Sequence, residues 1–390
     1  MEHESSRVGE IDDVLTEVQR QVDFLLNITP TNSNEAWLDF ERSGFSTVPT
    51  LQSRPLGFEP DLIKRRLYDL RIEEVDEPGL AILLRQKRDE LCREVMLLED
   101  RDSSRFLHGS LQLFGPVGDQ LVDQALEILA RVGTDVPEDS RVTATAFAER
   151  AEAELDHYRR TSSSFAAQLE IRTDIPDLMV SHGKLLIGAS SAYRAGRVEA
   201  LIHHEVGTHV VTFENGRAQP LQLLAVGLPG YEETQEGLAV LAEFVAGGLD
   251  PSRLRLLAAR VVAVKRVTDG GGFIDIFDEL HQKHAFPPRV AWAVTVRVAR
   301  SGGLTKDVIY LRGISRLLEF LGERKRLEPL FVGKMSLEHV PLIEELLDRG
   351  VLRPARIRPR WLDLPHAEER MERIYAGVNV LDLIAAEPSA

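Results

Sequence analysis

The stretch from Ala200 to Phe213, ALIHHEVGTHVVTF, constrains the fold of this chain more than any other. It is apolar enough to form a buried helix, yet it carries His204, Glu205 and His209, with the histidines five positions apart. Each residue of an α-helix advances by about 100°, so side chains four apart lie about 40° from each other and side chains five apart about 140°. The two imidazoles can therefore face one point only if the helix is irregular between them.

A π-bulge resolves this mismatch. With one extra residue in the turn, the angular offset between the histidines falls to about that of a four-residue step. Gly207 lies within the turn and lowers the steric obstacle to such a distortion. The sequence therefore predicts that hydrogen bonding departs from the regular α-helical pattern between His204 and His209, so that both imidazoles reach one metal ion. The alternative is a chance match in a chain with eleven histidines.

The surrounding segments predict a mainly helical α+β fold, with a small antiparallel β-sheet before the histidine helix. LEIRTDI and LMVSHGKLLIG alternate in polarity, and a Ser-His-Gly-Lys turn separates two apolar runs, as in a β-hairpin. Apolar residues at helical spacing mark most of the remaining chain. The predicted helices are about 8–28, 61–72, 78–100, 118–133, 143–160, 232–246, 251–268, 273–284, 288–300, 305–323 and 336–349.

A carboxylate on the helix after the histidines completes a candidate metal site. In YEETQEGLAVLAEF (231–244), Glu236 sits among apolar residues, where a buried carboxylate needs a partner. Glu232, one turn earlier on the same face, and Glu233 compete with it, and Glu236 is preferred because it is better embedded. Catalytic zinc sites commonly use three protein ligands and leave the fourth position to water. Glu205 is then placed to act as general base on that water.

Several motifs in this chain recur in order in a known family. They are HHEVGTH, NGRAQPLQLLAVGL, TQEGLAVLAEF (234–244), GGLTKDVIYLRG (302–313) and FVGKMSLEH (331–339). Over residues 45–360 the chain resembles the QEGLA-motif proteins, a family that includes the microtubule-associated tyrosine carboxypeptidases and bacterial proteins labelled flavohemoglobin expression-modulating.

The resemblance implies an atypical zinc metallopeptidase with one Zn²⁺ per chain. On this basis His204, His209 and Glu236 are zinc ligands, and Glu205 is the catalytic acid/base. The segment SGGLTKD departs from the family's usual pattern, since it has Ser301 and Leu304 where Gly and Phe are more common. This difference concerns substrate contacts and not the metal.

Five further residues are candidates for substrate binding or transition-state stabilisation. Cations around a Gly-Gly break could bind a terminal carboxylate, and a Tyr hydroxyl or Arg could stabilise an oxyanion; the residues are Arg297, Arg300, Lys306, Tyr310 and Arg312. The alternative is that basic residues at helix ends are solvated or complement the helix dipole.

The remaining histidines near these motifs are predicted to have other roles. His203 points about 100° away from its neighbour on a helix, which indicates a packing or supporting residue. His281 and His284 are three apart without a carboxylate in register, so they are predicted to be surface histidines.

The combined pattern predicts a zinc metallopeptidase that removes residues from peptide or protein C-termini. A first alternative is a zinc hydrolase that acts on a non-peptide amide with the same residues. A second is a regulatory or binding protein with a vestigial metal site. Glu205 argues against the second, because a purely structural zinc site has no use for a general base.

Composition limits the partners. The net charge of −15 disfavours nucleic acid and anionic membranes. It also disfavours tubulin, because a strongly acidic protein is repelled by an acidic tubulin tail. The single cysteine, Cys92, has helical spacing to apolar neighbours and is predicted to be buried. The chain shows neither a signal-peptide pattern nor an apolar run long enough to span a membrane, so we expect a cytoplasmic protein.

The predicted domain organisation has three parts. Residues 1–45 form an N-terminal helix and linker, residues 46–360 form the metallopeptidase-like catalytic domain, and residues 361–390 form a C-terminal tail. The segment RPARIRPR and the residues after it are expected to be extended.

Overall fold

The computed structural model describes residues 2–134, 139–173, 175 and 177–384. The chain divides into two compact units. The first unit combines Met1–Asp135 with Pro251–Leu311, and the second combines Val136–Asp250 with Arg312–Ala390. These limits differ from the boundaries at 45/46 and 360/361, which remain predictions about functional organisation.

Among its described residues, the first unit contains helices and turns but no strands. Its α-helices are α1 (Glu2–Val22), α2 (Phe24–Ile28), α3 (Ser33–Arg42), α4 (Pro60–Tyr68), α5 (Pro78–Glu99), α6 (Phe106–Phe114), α7 (Asp119–Arg131), α13 (Pro251–Thr268), α14 (Phe273–Asp278) and α15 (Pro288–Ala299). A π-helical turn covers Glu279–Lys283, and 3₁₀ turns cover Ile72–Glu74, Arg300–Gly302 and Lys306–Val308. The helix predicted over 8–28 is split in two at Asp23, which adopts the left-handed region at φ 32°.

An aromatic cluster forms part of the core of the first unit. Phe40 of α3 is fully buried, and its ring meets those of Phe273 and Phe277 edge-on at centroid distances of 5.5 and 4.8 Å. Trp292 of α15 packs on the same ring at 5.2 Å. Because α3 and α14–α15 are more than 200 positions apart in sequence, these rings hold the two chain segments of the unit together.

The second unit contains all the strands. Its elements are β1 (Arg141–Thr143), α8 (Ala144–Thr161), β2 (Leu169–Arg172), β3 (Leu178–Ser181), β4 (Lys184–Gly188), β5 (Ala192–Arg194), α9 (Val198–His204), a π-helix (Glu205–Val210), α10 (Val211–Arg217), α11 (Leu223–Val226), α12 (Tyr231–Val245), α16 (Ile309–Arg324), α17 (Val340–Asp348) and α18 (Ala367–Tyr375). Helix α16 begins in the last residues of the first unit. Short 3₁₀ turns cover Ala195–Arg197, Glu328–Phe331, Leu337–His339, Arg360–Asp363 and Val380–Leu383.

The predicted hairpin is confirmed. Strands β3 and β4 pair antiparallel, and the two residues between them, His182 and Gly183, both have positive φ, as a tight two-residue turn requires. Strand β2 pairs parallel to β4, which makes this sheet of order β2-β4-β3 mixed, while β1 and β5 form a separate antiparallel pair. The mainly helical α+β fold class is therefore confirmed, with one parallel pairing that was not predicted.

The small sheet packs directly on the histidine helix. Leu185 and Ile187 of β4 share one buried core with Ile202, Val206 and Val210 of the helix. At the hairpin turn, a Cβ on Gly183 would come within 2.3 Å of the Phe213 ring, so only glycine fits there. The sheet thus fixes one side of the helix that carries the candidate metal ligands.

The segment RPARIRPR, which was expected to be extended, is hydrogen-bonded to the end of α10 and to the residues that follow it. Asn215 exchanges hydrogen bonds with the backbone of Ile357, at 2.8 and 2.9 Å, and Gln219 does the same with Arg353, at 2.7 and 2.9 Å. Beyond it, Trp361 is fully buried and α18 follows, which differs from the extended conformation expected after residue 360. The contacts that hold this region come from two side-chain amides and one indole. Such isolated residues form no periodic pattern, so the sequence did not indicate that the region is folded. The expectation for 385–390 lies outside the described residues.

Two smaller expectations concern the whole chain. Cys92 is buried in α5, as predicted, and burial raises the pKa of its thiol. Among the helices that the structure describes, none combines the length and apolar character needed to cross a membrane.

Candidate metal centre

The histidine helix changes its winding where the sequence predicted. Helix α9 ends at His204, a π-helix covers Glu205–Val210, and α10 continues from Val211. As a result the imidazoles of His204 and His209 are neighbours, with ring centroids 5.1 Å apart and planes at 80°. The predicted departure from α-helical geometry is confirmed.

Gly207 has a second steric role besides the one expected. A Cβ at this position would lie 2.9 Å from the Trp361 ring and 3.4 Å from His203 Nδ1. The Trp361 Nε1–H donates to the Gly207 carbonyl at 3.3 Å. The glycine therefore makes room for the buried indole against the π-turn, in addition to any freedom it gives the helix.

Nitrogen and oxygen donors meet at this turn. One ligand atom each from His204, Glu205 and His209 lies within 4.8 Å of the other two. The Glu236 Oε2 atom of α12 lies 3.8 Å from His204 Nε2, and Glu205 Oε1 lies 3.9 Å from the same nitrogen. Among the described residues the mutually close group is therefore His204, Glu205 and His209, and Glu236 approaches it through its contact with His204.

A buried carboxylate that sequence reasoning missed fixes the His204 ring. Glu243 is fully buried, and its Oε1 lies 2.7 Å from His204 Nδ1. Its other oxygen accepts a 2.7 Å hydrogen bond from Arg197, which also donates to the Gly248 carbonyl. Because Nδ1 is engaged, Nε2 is the nitrogen left to bind a metal. The available signal was spacing: Glu243 follows Glu236 by seven residues, two turns along the same helix face.

The second histidine has its own support. His209 Nδ1 lies 3.5 Å from Gln235 Oε1, a long contact, and the Thr212 hydroxyl donates to the same oxygen at 2.7 Å. Gln235 is buried and directly precedes Glu236 in the QEGLA motif. Two successive residues of α12 therefore approach different histidines: Gln235 lies next to His209, and Glu236 lies next to His204.

The electrostatics of the centre are those of a crowded, buried site. Burial raises the pKa of Glu205 to about 7, with His204 opposing and Glu236 adding to the rise. Burial lowers the pKa of His209 to about 3. Burial also lowers the pKa of His204, but the hydrogen bond to Glu243 and the surrounding carboxylates outweigh it, so the net direction is upward. Several carboxylates around two imidazoles form an environment that a divalent cation would stabilise.

A lysine that sequence reasoning did not single out faces the same carboxylates. Burial lowers the pKa of Lys334 to about 8, while Glu232, Glu236 and Glu205 oppose that change. Its ammonium lies 5.8 Å from the Phe213 ring centroid. The backbone of Lys334 is anchored by hydrogen bonds to the Leu224 carbonyl at 2.7 Å and from the Leu228 amide at 2.9 Å. In the sequence, the only indication that Lys334 matters was its position in the motif FVGKMSLEH.

Of the competing carboxylates, Glu233 is committed to arginines. It accepts hydrogen bonds from Arg312 at 2.6 Å and Arg316 at 2.8 Å. Arg312, a candidate substrate residue, is therefore engaged in an ion pair in the second unit.

Two glycines set the approach of α12 and α16. A Cβ on Gly237 would lie 2.6 Å from the Gly313 carbonyl oxygen, and a Cβ on Gly313 would lie 2.2 Å from the Glu233 carbonyl oxygen. The glycine of QEGLA is therefore required by backbone contact between helices, next to the candidate ligand.

The other four candidate substrate residues, Arg297, Arg300, Lys306 and Tyr310, belong to the first unit. Arg297 binds Asp307 through two hydrogen bonds, at 2.6 and 2.8 Å, and Tyr310 lies beside this pair. Lys306 Nζ lies 5.9 Å from the Phe114 ring centroid.

Three further histidines that the sequence analysis considered, His203, His281 and His284, lie outside the candidate metal group. His203 is buried, with Nδ1 3.6 Å from Glu154 Oε1, so its predicted packing role is confirmed. His281 Nδ1 lies 2.8 Å from the Phe286 carbonyl, and both His281 and His284 are partly buried, so the prediction that they are surface histidines is wrong. In the described part of the chain neither belongs to a group able to hold a metal.

Comparison with known proteins identifies the family. The family model described as microtubule-associated tyrosine carboxypeptidase matches residues 38–378. The chain belongs to this family. Curated proteins similar to this chain include microtubule-associated tyrosine carboxypeptidase 1 from Homo sapiens, which is 31% identical over 201 residues. The protein of the same name from Mus musculus is 30% identical over 188 residues. The matches cover 47% and 45% of this chain and 40% and 39% of the two relatives, so the chain spans well under half the length of either relative.

Proposed function

We propose that this chain is a zinc-dependent carboxypeptidase that removes residues from the C-termini of peptides or proteins. The observation that carries the proposal is the π-helical turn, which brings His204 and His209 together beside two carboxylates. Membership of the family and the names of its curated relatives support the same reaction class.

The donor set fits zinc. Two imidazole nitrogens and a carboxylate from a second helix form the usual three-ligand arrangement of catalytic zinc sites. We assign these roles to His204, His209 and Glu236, because Glu205 as an additional ligand would close the position that the reaction needs. Zinc, when bound, supplies Lewis acidity and lowers the pKa of a water molecule.

Glu205 performs the proton transfers. It follows His204 directly, and its carboxylate lies near His204 Nε2 on the side of the candidate ligands. From there it accepts a proton from the attacking water and delivers it to the departing amine. Glu243 holds the His204 ring in place throughout and contacts no reacting atom.

Lys334 provides the cation that a carboxypeptidase needs for a substrate's terminal carboxylate. Its ammonium interacts electrostatically with the carboxylates of Glu232, Glu236 and Glu205. A carboxylate bound there places the last peptide bond, and no internal one, next to the reacting groups. A substrate role for Arg297, Arg300, Lys306, Tyr310 and Arg312 remains a prediction from sequence.

The test is product analysis by mass spectrometry. The purified protein is incubated with a degenerate peptide library that includes sequences ending in tyrosine and an acidic tubulin-tail peptide. The proposal expects loss of single C-terminal residues, abolished by a chelator and restored by Zn²⁺. Internal cleavage would contradict the carboxypeptidase assignment. The prediction against tubulin gains no support from the relatives' names, and the tail peptide decides it.

A peptide series with an amidated C-terminus tests Lys334. Amidation removes the charge that the ammonium binds, so cleavage of amidated peptides should be slower than that of free acids by about tenfold or more. Lys334→Gln should remove this preference by slowing cleavage of the free acids. Equal rates for both peptide forms with the unaltered protein would exclude this role.

A further inference from the structure

The first unit contains a buried cluster of arginines with more positive charge than its surroundings neutralise. Arg260, Arg297 and Arg300 lie around Asp307 and Tyr310. The Arg260 guanidinium stacks 4.1 Å from the Tyr310 ring centroid, and Arg297 lies 5.8 Å from the same ring. Asp307 is the carboxylate that acts on both Arg260 and Arg300. Three cations against one anion leave an excess of two positive charges.

Asp307 is already committed to one arginine. Both of its oxygens accept hydrogen bonds from Arg297, at 2.6 and 2.8 Å, and the fully buried carboxylate is held ionised by that pair, with its pKa well below the usual range. Arg260 Nε approaches Asp307 only to 3.8 Å, beyond hydrogen-bonding distance. The pair therefore accounts for Arg297 and leaves Arg260 and Arg300 without a bonded counter-charge.

Buried donors in this cluster have no partner. The Nε and Nη1 atoms of Arg260, the Nε atom of Arg300 and the Ser301 hydroxyl are buried without a hydrogen bond. Arg300 and Ser301 are each 7% exposed. An unpaired buried charge costs several kcal/mol, so a native protein ordinarily supplies a partner for it.

We infer that this cluster is a binding site for a doubly charged tetrahedral oxyanion, the chemistry of a phosphate group. The excess of two positive charges matches a dianion better than a single carboxylate. Guanidinium groups are well suited to phosphate because their N–H donors are arranged as a fork. The Arg297 side chain is 35% exposed, which gives an anion access from solvent. This inference concerns the first unit and does not depend on the proposed peptidase activity.

Calorimetric titration with inorganic phosphate tests the inference. We expect the unaltered protein to bind phosphate in chloride buffer, and to bind acetate much more weakly. Arg260→Met keeps the aliphatic contact with Tyr310 and removes the guanidinium, so it should weaken phosphate binding by about tenfold or more. Arg300→Gln should act in the same direction. Arg105→Gln, a change at a highly exposed arginine of the same unit, is the matched control and should leave binding unchanged.

Thermal melting separates a binding role from a structural one. Without phosphate, Arg260→Met should melt no lower than the unaltered protein, because it removes an uncompensated buried charge. With phosphate, the unaltered protein should gain stability and the variant should not. Absence of phosphate binding, equal binding by Arg260→Met, or equal destabilisation of that variant in both buffers would overturn the inference. Loss of binding in His209→Ala instead would place the anion at the metal centre and would also overturn it.

Discussion

Neighbouring residues at the candidate centre make different contacts. His204 and Glu205 are adjacent in sequence, yet His204 is fixed from behind by Glu243, whereas the Glu205 carboxylate faces the same region as Glu236. The sequence motif suggested this division between binding and proton transfer, and it can be tested by changes that preserve shape.

Glu205→Gln should abolish hydrolysis while leaving metal and fold intact. The amide has the size of the carboxylate but accepts no proton, and loss of a general base usually lowers rates about 10²- to 10⁴-fold. Zinc content, melting temperature and cleavage of the best library peptide are measured together. Near wild-type turnover by this variant would show that Glu205 is not the base.

Glu243→Gln should weaken metal binding without removing a ligand. Its carboxylate orients His204, and loss of such a partner typically lowers metal affinity about 10- to 100-fold. Competition with a chromogenic chelator measures the affinity, and excess Zn²⁺ should restore most of the activity. Glu233→Gln, on the same helix and also paired with arginine, is the control. Equal metal affinities for the two variants would contradict the positioning role.

At the residue level, the sequence singled out residues that the structure places near one another, and their roles remain a proposal. His204, Glu205 and His209 stand close in sequence, and Glu236 is conspicuous as a carboxylate on an apolar face. Glu243 and Lys334 were missed because a single carboxylate or lysine has no local signature. Their importance arises from contacts made only in the folded chain.

The π-turn is the element on which the centre depends. Its existence followed from spacing, since two histidines five apart cannot otherwise meet. The reason for glycine within it did not follow from sequence, because Trp361 is 154 residues away. A local pattern thus predicted the distortion of the helix, and only the fold showed what packs against it.

Gly207→Ala should destabilise the second unit. The new Cβ would lie 2.9 Å from the buried Trp361 ring, which has no room to move aside, and overpacking of this kind costs about 1–3 kcal/mol. Chemical denaturation measures the change. Gly9→Ala in α1 is the matched control, because no heavy atom lies within 4 Å of the position that its new Cβ would take, and it should be neutral or slightly stabilising. Equal effects at the two sites would refute the steric account.

The strands show the same limit of local reasoning. The β3–β4 hairpin was predicted because its turn and its alternation are contiguous in sequence. The parallel pairing of β2 with β4 was not, since it joins strands separated by a third. A pairing between strands that are not consecutive in sequence produces no recognisable pattern in either strand.

At the scale of the whole molecule, the chain leaves a unit and returns to it. The first unit resumes at Pro251 after the complete sheet and the histidine helix of the second. A scan for linkers along the sequence assumes contiguous domains and cannot detect such an arrangement. The chain crosses between the units three times, after residues 135, 250 and 311, and the last crossing lies inside α16, where no linker composition marks it.

Trp361 tests whether the predicted tail, residues 361–390, contributes to the fold. The side chain is fully buried, so Trp361→Ala should cost about 3–5 kcal/mol in the free energy of unfolding. Tyr68→Ala removes another aromatic ring, one that is 69% exposed, and should change stability by no more than about 0.5 kcal/mol. Denaturant titration of both variants measures the difference. A small loss for Trp361→Ala would mean that this region is a dispensable tail.

Elemental analysis of the purified protein is the most direct test of whether the π-turn and the QEGLA helix together hold one zinc ion. We expect about one zinc per chain in the unaltered protein, retained in Glu205→Gln. His204→Ala, His209→Ala and Glu236→Ala should each lose most of the zinc while remaining folded by circular dichroism. A protein that binds no zinc, or full occupancy in all three ligand variants, would show that this zinc site does not exist.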